Sequence, residues 1–229
     1  MNKLSIHLTK NEKLWGWIYY FLQLLILPTL ITLVNELIGR PFDLSVLNFL
    51  YFGINFIVIT LLFSHLLKEN GKIALNAPGH CISSAVIGLF FYWGLSYAVQ
   101  FFIVMMDPDF FNVNDASIGE MVQDNFVLTG IGTVLLVPIA EEALYRGLMF
   151  GMIYNRRPLA AYVISSCIFA SVHVVGYIGS YEPMQLALCF IQYLPAGIAM
   201  GWAYARANSI WAPILMHTAN NLISILAMR

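Results

Sequence analysis

The chain has 229 residues, of which 60% belong to the set AVILMFWYC and only 10% are charged, with a net charge of -1 and a mean hydropathy of +0.77. A soluble globular chain carries about 25% charge, so there is too little polar surface here to cover a water-facing molecule, and the apolar excess must face lipid. A charge balance this close to zero leaves no electrostatic footprint for nucleic acid.

In chain order, the polar and basic segment from Met1 to Lys13 leads into an apolar run too long for a signal-peptide core and without a small-residue cleavage site, so it reads as an uncleaved first span. Runs of about 20 apolar residues predict spans over Trp15–Ile38, Val46–Leu67, Ile82–Met106, Phe126–Ile153, Leu159–Tyr177, Met184–Ala205 and Ile210–Met228. The fold class is all-α, a polytopic transmembrane bundle of about seven helices. The polar stretch 107–125 has room for an eighth, outside the bilayer. Pro28, Pro138, Pro195 and Pro213 fall in or beside these spans and predict kinks. Trp15, Trp202 and Trp211 read as interface anchors. Cys81, Cys167 and Cys189 have no paired spacing and read as small apolar residues. His7, near the N-terminus, and His65, near a span end, read as solvated. His80 reads as part of a loop turn.

Basic residues alternate between loops. Lys3, Lys10, Lys13, Lys68, Lys72, Arg156, Arg157 and Arg206 are eight of the 11 and fall on one side. Arg40, Arg229 and the acidic loop with Asp107, Asp109, Asp115, Glu120 and Asp124 fall on the other. The positive-inside rule then puts the N-terminus in the cytoplasm of a bacterial-type cell membrane. Residues 1–229 read as one membrane-embedded domain, with the chemistry concentrated in 126–228.

An ionisable residue at membrane depth costs about 2.5–3.5 kcal/mol on insertion scales. Glu141, Glu142 and Arg146 fall deep in the fourth span, His173 in the fifth and His217, with Asn220 and Asn221, in the seventh. Glu142 and Arg146 are four apart on one face and predict an ion pair. Glu141 is turned about 100° away from that pairing and is free to act as a base. Tyr145, four residues on, is a candidate hydrogen-bond partner for it. Phe169 with His173, and His217 with Asn221, repeat the four-residue spacing, so three helices present polar faces to one cavity. Counting residues from the span ends places this set on the cytoplasmic side of the midplane and predicts access from the cytoplasm. Interhelical glue is the bland alternative, but glue does not need two adjacent carboxylates.

Glu141-Glu142-Ala-Leu-Tyr-Arg146, Phe169-Ala-Ser-Val-His173 and His217-Thr-Ala-Asn-Asn221 resemble, in order and spacing, the three motifs of the CPBP family of CAAX proteases and bacteriocin-processing proteins, also called Abi. The resemblance covers roughly residues 126–228. It implies an intramembrane endopeptidase acting on a peptide or protein substrate, prenylated or bacteriocin-like. In that reading Glu141 is the general base on a water that His173 also holds, and His217 and Asn221 donate to the oxyanion. Glu142, Arg146 and Phe169 support them. The preferred glutamate mechanism needs no cofactor. The competing account places a zinc ion on Glu141, His173 and His217, although no His-Glu-x-x-His is present. Two non-protease readings stand beside these: a non-catalytic immunity factor or chaperone of the same fold, and a small transporter using the carboxylates for proton coupling.

Overall fold

The computed structural model describes residues 3–39 and 41–229. Met1, Asn2 and Arg40, the last assigned above to the loop after the first span, lie outside the described residues. Among the described residues nine helices follow one another: α1 Lys10–Leu37, α2 Leu44–Leu62, α3 Ser64–Asn76, α4 Pro78–Met106, α5 Val113–Asp124, α6 Phe126–Tyr154, α7 Pro158–Val172, α8 Pro183–Ala207 and α9 Trp211–Ala227. Among the described residues six helical segments are long and apolar enough to cross a membrane, one of them α7 with its continuation to Tyr177. The predicted seventh span is α9, whose 17 residues sit at the lower limit of about 17–25 for a crossing. The lipid belt is written in side chains such as Leu25, Leu61, Phe102 and Val163, all exposed on the outside of the bundle.

Helices α1, α4, α7 and α9 start on the face that carries the N-terminus, and α2, α6 and α8 end there. The acidic segment with α5 lies on the opposite face, referred to below as the far face. The polar stretch 107–125 does hold a helix, as anticipated, running from Val113 to Asp124 with Asn112 as its N-cap.

Two expectations are corrected. The second span does not run on to Leu67: the helix ends at Leu62, Phe63 turns, and a separate helix starts at Ser64. The reason is a carboxylate 54 residues away. Glu12 forms a capping box with Thr9 at the start of α1, its Oε2 accepting the Thr9 N–H at 2.7 Å, while its Oε1 accepts the Leu66 N–H at 2.8 Å in the first turn of α3. One buried side chain thus satisfies orphan donors of two helices. His80 is also not in a loop. It lies in the first turn of α4, with its Nε2 2.9 Å from the Arg206 carbonyl.

The N-terminal face is closed. Asn70 of α3 accepts the Ile210 N–H and its carbonyl accepts the Ser209 hydroxyl, which fixes the turn between α8 and α9. The N-terminal segment packs Leu4 and Leu8 into the core and ties Leu4 to Asn155 through both backbone groups. In the middle of the bundle α8 lies close along α7: a Cβ built on Gly197 would stand 2.6 Å from Cα and Cβ of Ser166.

Pro28 and Pro138 act through a common local device. In α1 the Leu27 N–H reaches back five residues to the Leu22 carbonyl, a π-helical turn, and in that register the next donor would be Pro28, which has none. The Tyr51 hydroxyl donates to the Gln23 carbonyl left over, at 3.3 Å. In α6 the Val137 N–H likewise reaches Gly132, Pro138 lacks the next donor, and Nδ2 of Asn221 takes the Thr133 carbonyl at 2.9 Å. Both kinks border the same cavity.

Candidate active site

A cavity of about 620 Å³ enters the bundle from the far face and descends to mid-span. Its deep wall carries Glu141, Tyr145 and His217, and its mouth is lined by α5, by Tyr97 and Gln100 toward the end of α4 and by Gln192 and Tyr193 of α8. This corrects the expected access from the N-terminal side. That side is filled by the packing of the N-terminal segment and α3, whereas the far ends of the helices splay around α5.

Glu142 and Arg146 are fully buried. The Arg146 Nε lies 3.1 Å from Glu142 Oε2, an ion pair as predicted, although the N–H does not point along the contact. The guanidinium also lies 4.5 Å over the Phe169 ring, and its Nη2 reaches Met200 Sδ at 3.2 Å and, more loosely, the Ala196 carbonyl. The second oxygen of Glu142, Oε1, is 2.9 Å from Nδ1 of His217. Because a carboxylate can only accept, Nδ1 carries the proton and the Nε2 edge of His217 is left for the cavity. Glu142 is therefore a bridge between α6 and α9, a role the helical spacing did not reveal.

Glu141 shares none of this. No hydrogen bond joins it to Tyr145 among the described residues, and its Oε2 is buried without a partner on the cavity wall. A partnerless carboxylate oxygen facing a polar cavity is the group whose protonation is set by what enters.

His173 is at the end of α7 rather than inside it, where the helix unwinds into a 3₁₀ turn at Val175–Tyr177. Its Nδ1 is 2.8 Å from the Phe169 carbonyl, an acceptor, so Nδ1 holds the proton and Nε2 carries the lone pair. Its ring stacks on Tyr193 of α8 at 4.2 Å. Asn221 uses one amide hydrogen on Thr133 and keeps the other.

Phe169, His173, His217 and Asn221 are thus gathered with the Glu141–Arg146 turn as the motifs implied. Among the described residues no three of the His, Cys, Asp and Glu side chains stand close enough to hold a metal ion. Sequence reasoning missed Tyr193 and Tyr51, because each acts through partners on other helices and neither belongs to a repeated spacing.

Residues 123–223 match the family described as Rce1-like, type II CAAX prenyl endopeptidase. The chain is 26% identical over 201 residues to a protein of Bacillus subtilis (strain 168) named "Putative membrane peptidase YdiL", covering 82% of this chain and 76% of that one. It is 31% identical over 88 residues to the UPF0177 protein YxdF of Lactococcus lactis subsp. lactis (strain IL1403), covering 38% of this chain and 43% of that protein. No solved structure matches it. An all-helical membrane bundle with its acid, base and amide side chains around a mid-span cavity defines the class. Within it, the ordered motifs and these matches make the chain similar to the CAAX-protease, or CPBP, family over residues 123–223.

Proposed function

We propose that the protein is an intramembrane endopeptidase that hydrolyses a peptide bond with water activated by Glu141. The observation that carries this reading is the division of labour between adjacent carboxylates. Glu142 is consumed by Arg146 and His217, and Glu141 presents an unpartnered oxygen to the cavity. A salt-bridged carboxylate is a poor base, and a free one beside a cavity is a good one.

In this mechanism a water sits between Glu141 and the Nε2 lone pair of His173. Glu141 takes its proton as the oxygen attacks the scissile carbonyl. Asn221 donates its remaining amide hydrogen to the developing oxyanion, and His217, when protonated at both nitrogens, donates Nε2–H. Glu141 then returns the proton to the leaving amine. Asn221, by holding Thr133, also fixes the kink that starts the turn bearing Glu141. The family description supports a peptidase and names prenylated CAAX substrates, and the resemblance to the CPBP motifs adds bacteriocin-like precursors as a second substrate type.

Purified wild type and Glu141→Ala, each with and without a chelator, are incubated with prenylated CAAX peptides and bacteriocin-like precursors, and products are read by mass spectrometry. Cleavage by the wild type that persists in chelator and disappears in the variant supports the proposal. Cleavage lost in chelator and restored by zinc points to the metal account. Equal cleavage by both proteins overturns the role of Glu141.

A further inference from the structure

At the mouth of the cavity, Asp115 in the first turn of α5 stands one tyrosine away from His173. The Tyr193 hydroxyl lies 2.9 Å from Asp115 Oδ1 and 3.2 Å from Asn112 Oδ1, and it has a single proton. The shorter contact to the charged oxygen takes it. Asn114 Nδ2 donates to the same hydroxyl at 3.0 Å, and the far side of the tyrosine ring stacks on His173. One carboxylate oxygen is therefore held by the site, and water reaches the residue through the mouth.

The surroundings of that carboxylate share one character. Tyr92, Trp93, Tyr97 and Tyr177 line the same cavity, and among the described residues no lysine or arginine does. In the sequence, the far face carries eight carboxylates (Glu36, Asp43, Asp107, Asp109, Asp115, Glu120, Asp124 and Glu182) against the arginines Arg40 and Arg229. The described one, Arg229, is stacked over Phe126. An acidic face with Asp115 at a concave, aromatic-lined opening focuses a field that concentrates cations, and aromatic faces add to it.

We infer that the cavity mouth is a subsite for a cationic side chain of a peptide substrate, lysine or arginine, bound by Asp115 among the aromatic rings close to the scissile bond. The inference rests on the peptidase reading and narrows it. The preferred substrate presents a basic residue to the far face.

The test separates binding from turnover. In the Glu141→Gln background, binding of an end-blocked heptapeptide with one central lysine is compared with that of its norleucine twin, read by tryptophan fluorescence at low salt. The lysine peptide is expected to bind about tenfold more tightly, about 1.4 kcal/mol. That preference disappears in Asp115→Asn/Glu141→Gln, is retained in Asp115→Glu/Glu141→Gln and shrinks in high salt. Equal affinity of the twins, or a preference that survives Asp115→Asn, overturns the subsite. Cleavage by the protein with Glu141 intact is scored separately on a mixed peptide library. Cleavage without preference for basic residues keeps the peptidase and removes the subsite. Lysine-selective binding with no cleavage of the library keeps the subsite and counts against the peptidase.

Discussion

Arg146 offers the sharpest check on how the site is held. It and Glu142 are both fully buried, and Glu142 has only Arg146 and His217 to balance its charge. Arg146→Met leaves a buried carboxylate with the His217 N–H alone, and breaking a buried pair from one side costs about 3–5 kcal/mol. For a chain of this size each kcal/mol lowers Tm by about 2–4 °C, so the variant should melt about 6–20 °C below the wild type. Adding Glu142→Gln removes the stranded charge and leaves an amide oxygen that still accepts the His217 Nδ1 proton. The double variant should therefore recover most of the loss, to within about 1–2 kcal/mol of wild type. Thermal unfolding in one detergent, followed by tryptophan fluorescence, measures all three proteins. An Arg146→Met protein as stable as the double variant would refute the reasoning, because Glu142 would then not depend on the arginine.

Other expectations follow from particular contacts. Asn221→Ala strands the Thr133 carbonyl, costing about 1–3 kcal/mol. Pro138→Ala in that background restores a donor, so Tm returns while activity stays low, which separates the structural from the chemical work of the asparagine. Gly197→Ala drives a methyl into Ser166 and should destabilise by about 1–3 kcal/mol, whereas Gly53→Ala meets nothing within 4 Å and should be neutral or stabilising; melting temperatures of the pair decide. The walls of the mouth strip part of the hydration from the Asp115 carboxyl and push it above the ordinary aspartate value, with the Tyr193 hydrogen bond opposing. A raised carboxyl gives stability that is present in acid and lost as pH rises through the raised value. Asp115→Asn should thus be at least as stable as wild type at neutral pH, with the advantage fading in acid, as a pH series of melting curves would show.

The spans were legible because lipid imposes a long apolar run on every crossing, and the Glu142–Arg146 pair because four residues make one helical turn. What stayed hidden depends on distant partners. The break at Phe63 is set by Glu12, which caps α3 from the start of α1. The direction of the cavity follows from the packing of Leu4 and Leu8 under the bundle, which no span boundary encodes. The histidine at 217 was read as an oxyanion donor from its motif. Its bond to Glu142 spans 75 residues and appears only when α6 and α9 are brought together. Asn221 was placed by the same motif, and its hold on Thr133 follows from Pro138, a residue visible in the sequence whose orphaned carbonyl was not.

The measurement that bears most directly on the central claim is a single-turnover comparison of wild type and Glu141→Gln on a peptide the wild type cuts, with both proteins shown to melt at similar temperatures. General acid–base catalysis contributes about 10²–10⁴-fold, so the account predicts a fall in the cleavage rate of at least about 10² with little change in peptide binding. A Glu141→Gln protein that cleaves at the wild-type rate would contradict it.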